Sequence, residues 1–208
     1  MKDVTPKFIV MEGLDGSGKT TQLARLEAYL GSRGRRVFVT REPTSSVTGG
    51  LLRDALSGES RRSDCEMAAL FVLDRIYHNQ NPICGINKML ADGYDVICDR
   101  YYYSSMAYQG SMTDFEWVRR MNIDCPEIRR PDLCIFLDLD PRVCLERISA
   151  NRTTTEIYET EDTLTAVRQS YYRVFDAVED RIAVIDTTAD IDSVADAVRS
   201  AVNSIFGF

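Results

Sequence analysis

The sequence predicts an α/β fold in which helices cover both faces of a five-stranded parallel sheet. Short apolar runs recur along the 208-residue chain, and the segments between them are long enough for crossover helices. A glycine-rich motif directly follows the first run, which is typical of a strand, loop and helix in succession. The predicted strands are residues 8–12, 37–40, 95–99, 133–138 and 182–186.

Helices are predicted between these strands and after the last one. Leu23, Leu26 and Leu30 fall at helical spacing, and Ser63 with Glu66 forms a capping box. Prolines suited to a first turn and glycines suited to a helix end are Pro82, Pro141, Gly31, Gly58 and Gly93. The predicted helices are residues 19–32, 49–57, 64–79, 82–91, 102–109, 114–121, 142–150, 161–178 and 193–205.

The composition is that of one well-cored domain, which we expect to span residues 1–208. Hydrophobic residues make up 44% of the chain, enough for a single α/β core. A nucleic acid or an anionic membrane would require a basic patch, and the net charge of −7 argues against one. We therefore expect no nucleic-acid or membrane partner, and anionic ligands must be gripped locally.

Three further features of the sequence limit the kind of site and the cellular location that we expect. They are the cysteines, the N-terminal residues and the histidine. Six scattered cysteines without a C-x-x-C pair predict buried, reduced thiols rather than disulfides or a zinc site. The first residues lack an apolar signal segment, and we expect a cytoplasmic protein. His78 is the only histidine, which excludes a metal site with several histidine ligands, and we expect it on a helix surface.

The glycine-rich motif matches G-x-x-x-x-G-K-[ST], a phosphate-binding loop. Its backbone N–H groups surround phosphate oxygens, Lys19 reaches the β- and γ-phosphates, and Thr20 offers an oxygen to Mg²⁺. A glycine-rich turn with an incidental lysine is the alternative, which the flanking strand and helix disfavour. The predicted triphosphate-binding residues are Gly13, Leu14, Asp15, Gly16, Ser17, Gly18, Lys19, Thr20 and Thr21.

One member of this loop, Asp15, does not suit an anion-binding site. A carboxylate close to phosphate is electrostatically unfavourable. We therefore expect its side chain to point away from the phosphates and to have a task of its own.

Two arginines are predicted to lie near the loop. Arg41 follows the second strand and Arg100 the third, and parallel strands bring their carboxyl ends to one edge of the sheet. Guanidinium groups hold phosphate in a fixed orientation, and two of them exceed what ATP alone requires. A surface ion pair is the alternative for a single arginine, whereas the pair favours a second phosphate-bearing substrate.

One face of the predicted helix at 64–79 carries side chains that could bind a nucleotide base. Phe71, Asp74, Arg75 and His78 share this face at helical spacing. An aromatic ring one turn from a guanidinium can stack on a base while the guanidinium hydrogen-bonds its edge. The alternative is that Phe71 belongs to the core and Arg75 pairs with a carboxylate, and periodicity alone favours that alternative.

As a set, these motifs resemble those of the bacterial and archaeal-type thymidylate kinases, the dTMP kinases. The resemblance spans nearly the whole chain, and Asp-Arg-Tyr with Ser-Ser-x-Ala-Tyr-Gln-Gly is more specific than the loop. Matching segments are residues 13–20, 41–43, 71–75, 99–101, 104–110 and 130–132. The resemblance implies a three-layer P-loop kinase fold with a mobile lid, ATP and dTMP as substrates, and a homodimer.

The resemblance also implies a role for individual residues around the thymine base. Phe71 matches the phenylalanine that stacks on the base, and Arg75 matches the arginine that hydrogen-bonds it. Ser105 falls where the family has a polar side chain near the ring, and Gln109 is the neighbouring base contact.

Further residues match the family's contacts to the sugar and the acceptor phosphate. Arg100 matches the arginine that grips this phosphate, and Arg41 is a second contact. Tyr108 matches the aromatic ring under the deoxyribose, and Asp15 the acidic residue that accepts a hydrogen bond from the 3′-hydroxyl. That contact would explain the unusual carboxylate in the loop.

A lid is predicted at about residues 150–160. Residues 151–159 are polar and β-branched without helical or strand period, and phosphoryl transfer requires a segment that excludes water. An ordinary exposed connection is the alternative. The phosphate loop has Gly16 and Ser17 where some family members carry the catalytic arginine, which points to the lid, where Arg152 is the main candidate.

The lid departs from the family pattern, and other arginines remain open. Ile157 stands where many lids have a basic residue. Arg147 either packs against adenine or takes the catalytic role, and Arg168 and Arg173 could contribute from the next helix. Glu159 matches the lid's acidic residue.

The implied mechanism is direct in-line transfer of the γ-phosphoryl group to the phosphate of dTMP. Lys19 and the loop amides hold the transferring group, and Arg152 neutralises charge in the transition state. Mg²⁺ is expected to bind through Thr20 and, by way of water, Asp99. The loop at 186–188 is expected to border the adenine.

Two other functions remain open from sequence. A kinase for another nucleoside monophosphate would keep the loop and change the base pocket. A nucleotide-dependent switch protein would ordinarily carry Asn-Lys-x-Asp after a strand, whereas residues 87–90 read Asn-Lys-Met-Leu in a helix-like stretch.

Overall fold

The computed structural model describes residues 5–151, 158 and 160–208, and it confirms the predicted five-stranded parallel sheet. The strands lie in the order β2-β3-β1-β4-β5 and every pairing is parallel. They are β1 (Phe8–Gly13), β2 (Val37–Arg41), β3 (Asp95–Asp99), β4 (Leu133–Asp138) and β5 (Ile182–Asp186). Every residue of the central strand β1 is buried, as its continuous apolar run predicts.

Helices connect the strands and cover both faces of the sheet. The bounds within the described residues are α1 (Lys19–Ser32), α2 (Val47–Leu56), α3 (Asp64–Gln80), α4 (Ile86–Ala91), α5 (Tyr102–Met112), α6 (Phe115–Ile123), α7 (Pro141–Asn151), α8 (Glu161–Ala177) and α9 (Ile191–Phe206). One face of the sheet packs on α1 and α9 through Leu26, Leu30 and Val198. The other packs on α3 to α8, with Tyr103 and Tyr171 in its core. The three layers confirm the predicted architecture.

Most predicted helix signals are confirmed. The Ser63–Glu66 capping box is present, and Pro141 begins α7. Gly58 and Gly93 have φ angles of 82° and 84°, the left-handed conformation that glycine adopts without strain after a helix.

Two of these signals are wrong. Gly31 lies inside α1, and Gly34, with a φ of 75°, takes the left-handed position beyond it. Pro82 does not begin α4, because Asn81 Oδ1 accepts hydrogen bonds from the N–H groups of Ile83 and Cys84 at 2.8 and 3.0 Å. This turn competes with the helix, which begins at Ile86.

The cysteines are all free thiols, as predicted, but not all are buried. Cys98, Cys134 and Cys144 are buried, whereas Cys65 and Cys84 are exposed, in the first turn of α3 and in the turn before α4. Among the described residues, no helix combines the length and hydropathy that crossing a membrane requires.

Candidate active site

The phosphate loop joins β1 to α1 and takes the conformation that its glycines allow. Gly16 and Gly18 have φ angles of 82° and 101°, in the left-handed region. A Cβ at Gly16 would lie 2.5 Å from the carbonyl oxygen of Cys144 on α7. The loop therefore depends on glycine both for its turn and for its close approach to α7.

Lys19, the first residue of α1, points back into this loop. Its Nζ donates hydrogen bonds to the carbonyl oxygens of Gly13 and Leu14 at 3.0 and 3.1 Å and lies 3.5 Å from Asp15 Oδ1. Burial, together with the charge of Arg100, lowers the pKa of Lys19. The ammonium group is therefore desolvated at the place where the motif predicts the transferring phosphate.

Arg100 emerges from the carboxyl end of β3 toward the same loop. Its φ of 67° places a non-glycine residue in the left-handed region, which the fold tolerates because its N–H donates to the carbonyl of Met11 at 3.0 Å. Its Nη2 lies 3.0 Å from Asp15 Oδ1, and its guanidinium lies 5.6 Å from the Tyr108 ring centroid. Burial is the largest single influence and opposes the charge of Arg100, but the acidic groups around it, Asp15 foremost, together outweigh burial and raise its pKa.

Asp15 thus lies between two cations, which explains how the loop tolerates a carboxylate. Its side chain is 27% exposed and is shared by Lys19 and Arg100. Opposite charges at these distances stabilise the ionised carboxylate.

At the far end of the site, Arg75 is held by fixed partners on several elements. Its side chain is 1% exposed, and Nη2 and Nε donate to Glu42 Oε2 at 2.6 and 2.9 Å. Nη1 donates to Asn122 Oδ1, and Nη2 also lies 3.2 Å from Ser105 Oγ. Arg75 therefore pairs with a carboxylate, as the alternative interpretation held.

Phe71 is half-buried one turn before Arg75. It packs against the small cluster of Leu52, Ala55 and Met67, and it also borders the cavity described below. Both interpretations of this helix face are therefore met in part, because Phe71 and Arg75 have structural partners and still face the cavity.

The expected surface position of His78 is wrong. The side chain is only 5% exposed, with Nδ1 3.0 Å from Glu42 Oε1 and Nε2 2.7 Å from Thr40 Oγ1. The face of α3 that carries Arg75 packs toward the end of β2, so the histidine one turn later is buried with it.

A single cavity of about 1040 Å³ runs from the phosphate loop to Phe71 and Arg75. It brings together most of the residues selected from sequence, which are Asp15, Gly16, Ser17, Gly18, Lys19, Thr20, Thr21, Arg41, Phe71, Arg75, Asp99, Arg100, Tyr108, Gln109 and Arg147. Gly13 and Leu14 lie beneath Lys19, and Ser105 contacts Arg75, without lining the cavity. Arg152 and Glu159 lie outside the described residues.

The remaining arginine candidates take different positions. Arg147 lines the cavity and donates to the carbonyl of Gly16 at 3.2 Å. Arg168 pairs with Asp138 at 2.6 and 2.7 Å beside a second cavity of about 520 Å³. Arg173 lies 4.0 Å from the Phe115 ring centroid. Neither Arg168 nor Arg173 lines the main cavity.

Sequence reasoning missed several residues of this site. Glu42 holds Arg75, a role that the matching segment at 41–43 does not by itself assign, although Glu42 follows a strand just as Arg41 does. Glu12 is a buried acid in an otherwise apolar strand, and that contrast could have identified it. Two segments that the sequence analysis does place at the site also reach the cavity, through Thr187 in the loop at 186–188 and Tyr158 in the predicted lid.

The residues expected to bind Mg²⁺ have suitable chemistry. Asp99 Oδ1 is buried without a hydrogen-bond partner among the described residues, and Thr20 lines the same cavity. Within that part of the chain no cluster of three or more His, Cys, Asp or Glu side chains forms a metal site. Mg²⁺ is commonly bound by one or two protein oxygens with water and phosphate, so a lone carboxylate beside the loop fits it.

Comparisons with known proteins point in one direction. Residues 11–198 match the family model described as thymidylate kinase. A probable thymidylate kinase from Pyrococcus horikoshii is 36% identical over 90% of this chain and 91% of its own length. A thymidylate kinase from Thermosipho melanesiensis is 32% identical over 95% and 98%. The solved thymidylate kinase of Candida albicans has a TM-score of 0.80 and 25% identity, covering 96% of this chain and 92% of that one.

Proposed function

Because this chain belongs to the thymidylate kinase family, we propose that it transfers the γ-phosphoryl group of ATP to dTMP, giving dTDP and ADP. The observation that carries the proposal is the single cavity joining the phosphate loop to Phe71 and Arg75. At about 1040 Å³ it reaches the upper end of the usual range for ligand sites, which supports two nucleotides facing each other in one site.

The donor end of the cavity suits the triphosphate. The proposed ATP contacts are the loop from Gly13 to Thr20, with Thr21 and Arg147 at its edge. Lys19 and the loop amides hold the β- and γ-phosphates, and the N-terminus of α1 adds its positive dipole. Lys19 exchanges its bonds to the loop carbonyls for phosphate oxygens, which its three ammonium protons allow.

The acceptor end suits the nucleoside monophosphate. Arg100 and Arg41 bind its phosphate, and the buried guanidinium of Arg75 hydrogen-bonds the base on which Phe71 stacks. The remaining proposed dTMP contacts are Asp15 to the 3′-hydroxyl, Tyr108 under the sugar, and Ser105 and Gln109 at the base.

Thr20 and Asp99 would hold Mg²⁺, the second through water, and the unpartnered Asp99 Oδ1 supports this assignment. When bound, this ion neutralises negative charge on the β- and γ-phosphates. Asp99 is the last residue of β3 and Arg100 follows it directly. Two consecutive residues would therefore supply the carboxylate for the metal ion and the arginine for the acceptor phosphate.

Arg152 is the proposed catalytic arginine of the lid at about residues 150–160, and Arg147 is the alternative. Arg147 already borders the cavity at Gly16. Replacing each by Lys and by Ala would separate them, because the catalytic residue should chiefly lower kcat and an adenine contact should chiefly raise KM for ATP.

Further proposals concern assembly and location. We propose one domain over residues 1–208, a cytoplasmic location, no nucleic-acid partner and a homodimer. Leu73 and Tyr77 on α3 are 51% and 47% exposed on one helix face, which supports burial of this face against a second copy. Light scattering of the purified protein would report its mass, and a monomer at micromolar concentration would contradict the dimer.

The activity is tested by ADP release with dTMP, dUMP, UMP, dCMP and AMP as acceptors. We expect dTMP to give the fastest release in the wild type, and Arg75→Ala to lower kcat/KM for dTMP about a hundredfold. Arg199→Ala is the matched control, since this surface arginine on α9 does not line the cavity. If the enzyme released ADP no faster with dTMP than without any nucleotide acceptor, the proposal would be wrong. Preference for another acceptor would reassign the base pocket.

A further inference from the structure

Glu12 is a buried carboxylate that does not line the cavity but touches several elements around it. It ends the apolar run of β1 and is 0% exposed. Its Oε1 accepts hydrogen bonds from the backbone N–H groups of Tyr101 and Ser104, at 2.8 and 3.3 Å. Its Oε2 accepts from the hydroxyl groups of Ser104 and Tyr171, at 2.6 and 2.9 Å. Glu12 therefore joins β1, the start of α5 and α8.

The same two hydroxyl groups face Arg100. Nη1 of Arg100 lies 3.2 Å from Ser104 Oγ and 3.3 Å from Tyr171 OH. A hydroxyl group has one proton to donate and lone pairs to accept with. The two hydroxyl oxygens also lie 2.9 Å from each other, and both are within hydrogen-bond distance of Glu12 Oε2. The guanidinium can only donate, so in its contacts with the two hydroxyl groups their oxygens are the acceptors.

This arrangement orients the guanidinium. Nη1 contacts the hydroxyl groups of Ser104 and Tyr171, on the inner side of the guanidinium. Nη2 lies on the cavity side, 3.0 Å from Asp15 Oδ1. A planar guanidinium fixed at one nitrogen has its remaining donors fixed in direction. The geometry is that of a phosphate-binding fork aimed into the site.

We propose that Glu12, Ser104 and Tyr171 are positioning residues that fix the orientation of Arg100 toward the acceptor phosphate. This inference rests on the proposed function, in which Arg100 binds that phosphate. Tyr171 lies on α8, the helix after the predicted lid, and does not line the main cavity. A residue of α8 that lies outside the main cavity therefore helps to determine how the acceptor phosphate is held.

Tyr171→Phe tests the proposal because it removes the hydroxyl group and keeps the ring. The ring packs on Phe136, Phe175 and Tyr108, with centroid distances of 4.7, 6.0 and 6.5 Å. We expect KM for dTMP, and the calorimetric Kd for dTMP without ATP, to rise about tenfold, while KM for ATP stays within about twofold. The melting temperature should change little.

Tyr172→Phe is the matched control. This neighbouring tyrosine donates its hydroxyl proton to Asp138 at 2.8 Å, away from Arg100, and lines the second cavity but not the main one. We expect its KM for dTMP to equal that of the wild type. Ser104→Ala removes the other hydroxyl group and should raise KM for dTMP in the same way. Ser104 also lines the main cavity, so Tyr171→Phe is the more specific of the two variants.

The outcomes distinguish the two proposals. A wild type without dTMP-dependent ADP release contradicts the proposed function itself. An active wild type with unchanged dTMP affinity in both Tyr171→Phe and Ser104→Ala overturns the positioning role. Equal rises in KM for ATP and dTMP with a lowered melting temperature would also overturn it, because they would indicate a general structural effect.

Discussion

The two ends of the cavity hold their cations in different ways. At the base end, Arg75 is 1% exposed and is fixed by Glu42, Asn122 and Ser105. At the phosphate end, Lys19 and Arg100 share the partly exposed Asp15, and Lys19 also bonds to loop carbonyls. Under the proposed function, the base pocket is therefore built before a ligand binds, whereas the cations at the phosphate end must exchange partners.

This difference follows from what each end must do. A pocket that discriminates between bases gains from donors that are already ordered, because the cost of ordering them is not taken from binding. At the phosphate end of the proposed site, phosphate oxygens would have to replace Asp15 and the loop carbonyls as partners of Lys19 and Arg100. Buried carboxylates accordingly support Arg75 and the inner side of Arg100, while the partly exposed Asp15 lies between Lys19 and Arg100.

Lys19→Ala should give the largest effect at the exchanging end. We expect kcat/KM to fall about a thousandfold, since a desolvated cation aimed at developing charge is lost, while the melting temperature is retained. Steady-state ADP release measures the first and thermal unfolding the second. Lys88→Ala is the control, because Lys88 pairs with Asp92 on the surface of α4. A loss smaller than about tenfold would contradict the role of Lys19.

Glu42→Gln should break the preformed end. Removing the charge of a buried partner leaves Arg75 uncompensated, and we expect the free energy of unfolding to fall by about 3 kcal/mol. Urea denaturation at neutral pH measures this change. Glu66→Gln, at the exposed capping box of α3, serves as the control and should cost much less. Equal losses in the two variants would show that the base end is not preformed as described.

Asp15→Asn removes the carboxylate charge at the phosphate end of the cavity, as Glu42→Gln does at the base end. Because this carboxylate is partly exposed, we expect the free energy of unfolding to change by less than about 1 kcal/mol. KM for dTMP should rise about tenfold as the contact to the 3′-hydroxyl weakens. A stability loss as large as that of Glu42→Gln would remove the contrast between the two ends.

Asp74, near the base end, should make the stability of the protein depend on pH. It is 1% exposed and accepts hydrogen bonds from Thr44, Ser46 and Thr48, so it ties α3 to the start of α2 beside the base pocket. Burial alone would raise its pKa, but these hydrogen bonds outweigh burial and lower it. Its contribution to stability is therefore present above the unfolded pKa of about 4 and is lost as pH falls through the lower folded pKa.

Asp74→Asn should consequently cost about 1 kcal/mol at pH 7, and the difference from the wild type should shrink below about pH 4. Urea unfolding at pH 7, 4 and 3 measures it. A difference that stayed constant over this range would show that the charge of Asp74 does not contribute.

The sheet, most of the helices and the phosphate loop could be predicted from the amino-acid sequence alone. These depend on neighbouring residues, namely the apolar run of β1, the leucine spacing of α1 and the glycines that the loop conformation requires. The family resemblance also selected Arg75, Arg100 and Tyr108, which the fold brings to one cavity.

The partners that hold those residues became visible only in the folded structure. Tyr171 and Glu12 are separated by 159 positions, and Arg75 and Glu42 by 33, so no local pattern connects them. His78 was expected on the surface because helical periodicity defines a face without saying what packs against it. Pairing of buried charges depends on which elements meet, and that is settled by burial of the whole core rather than by any segment.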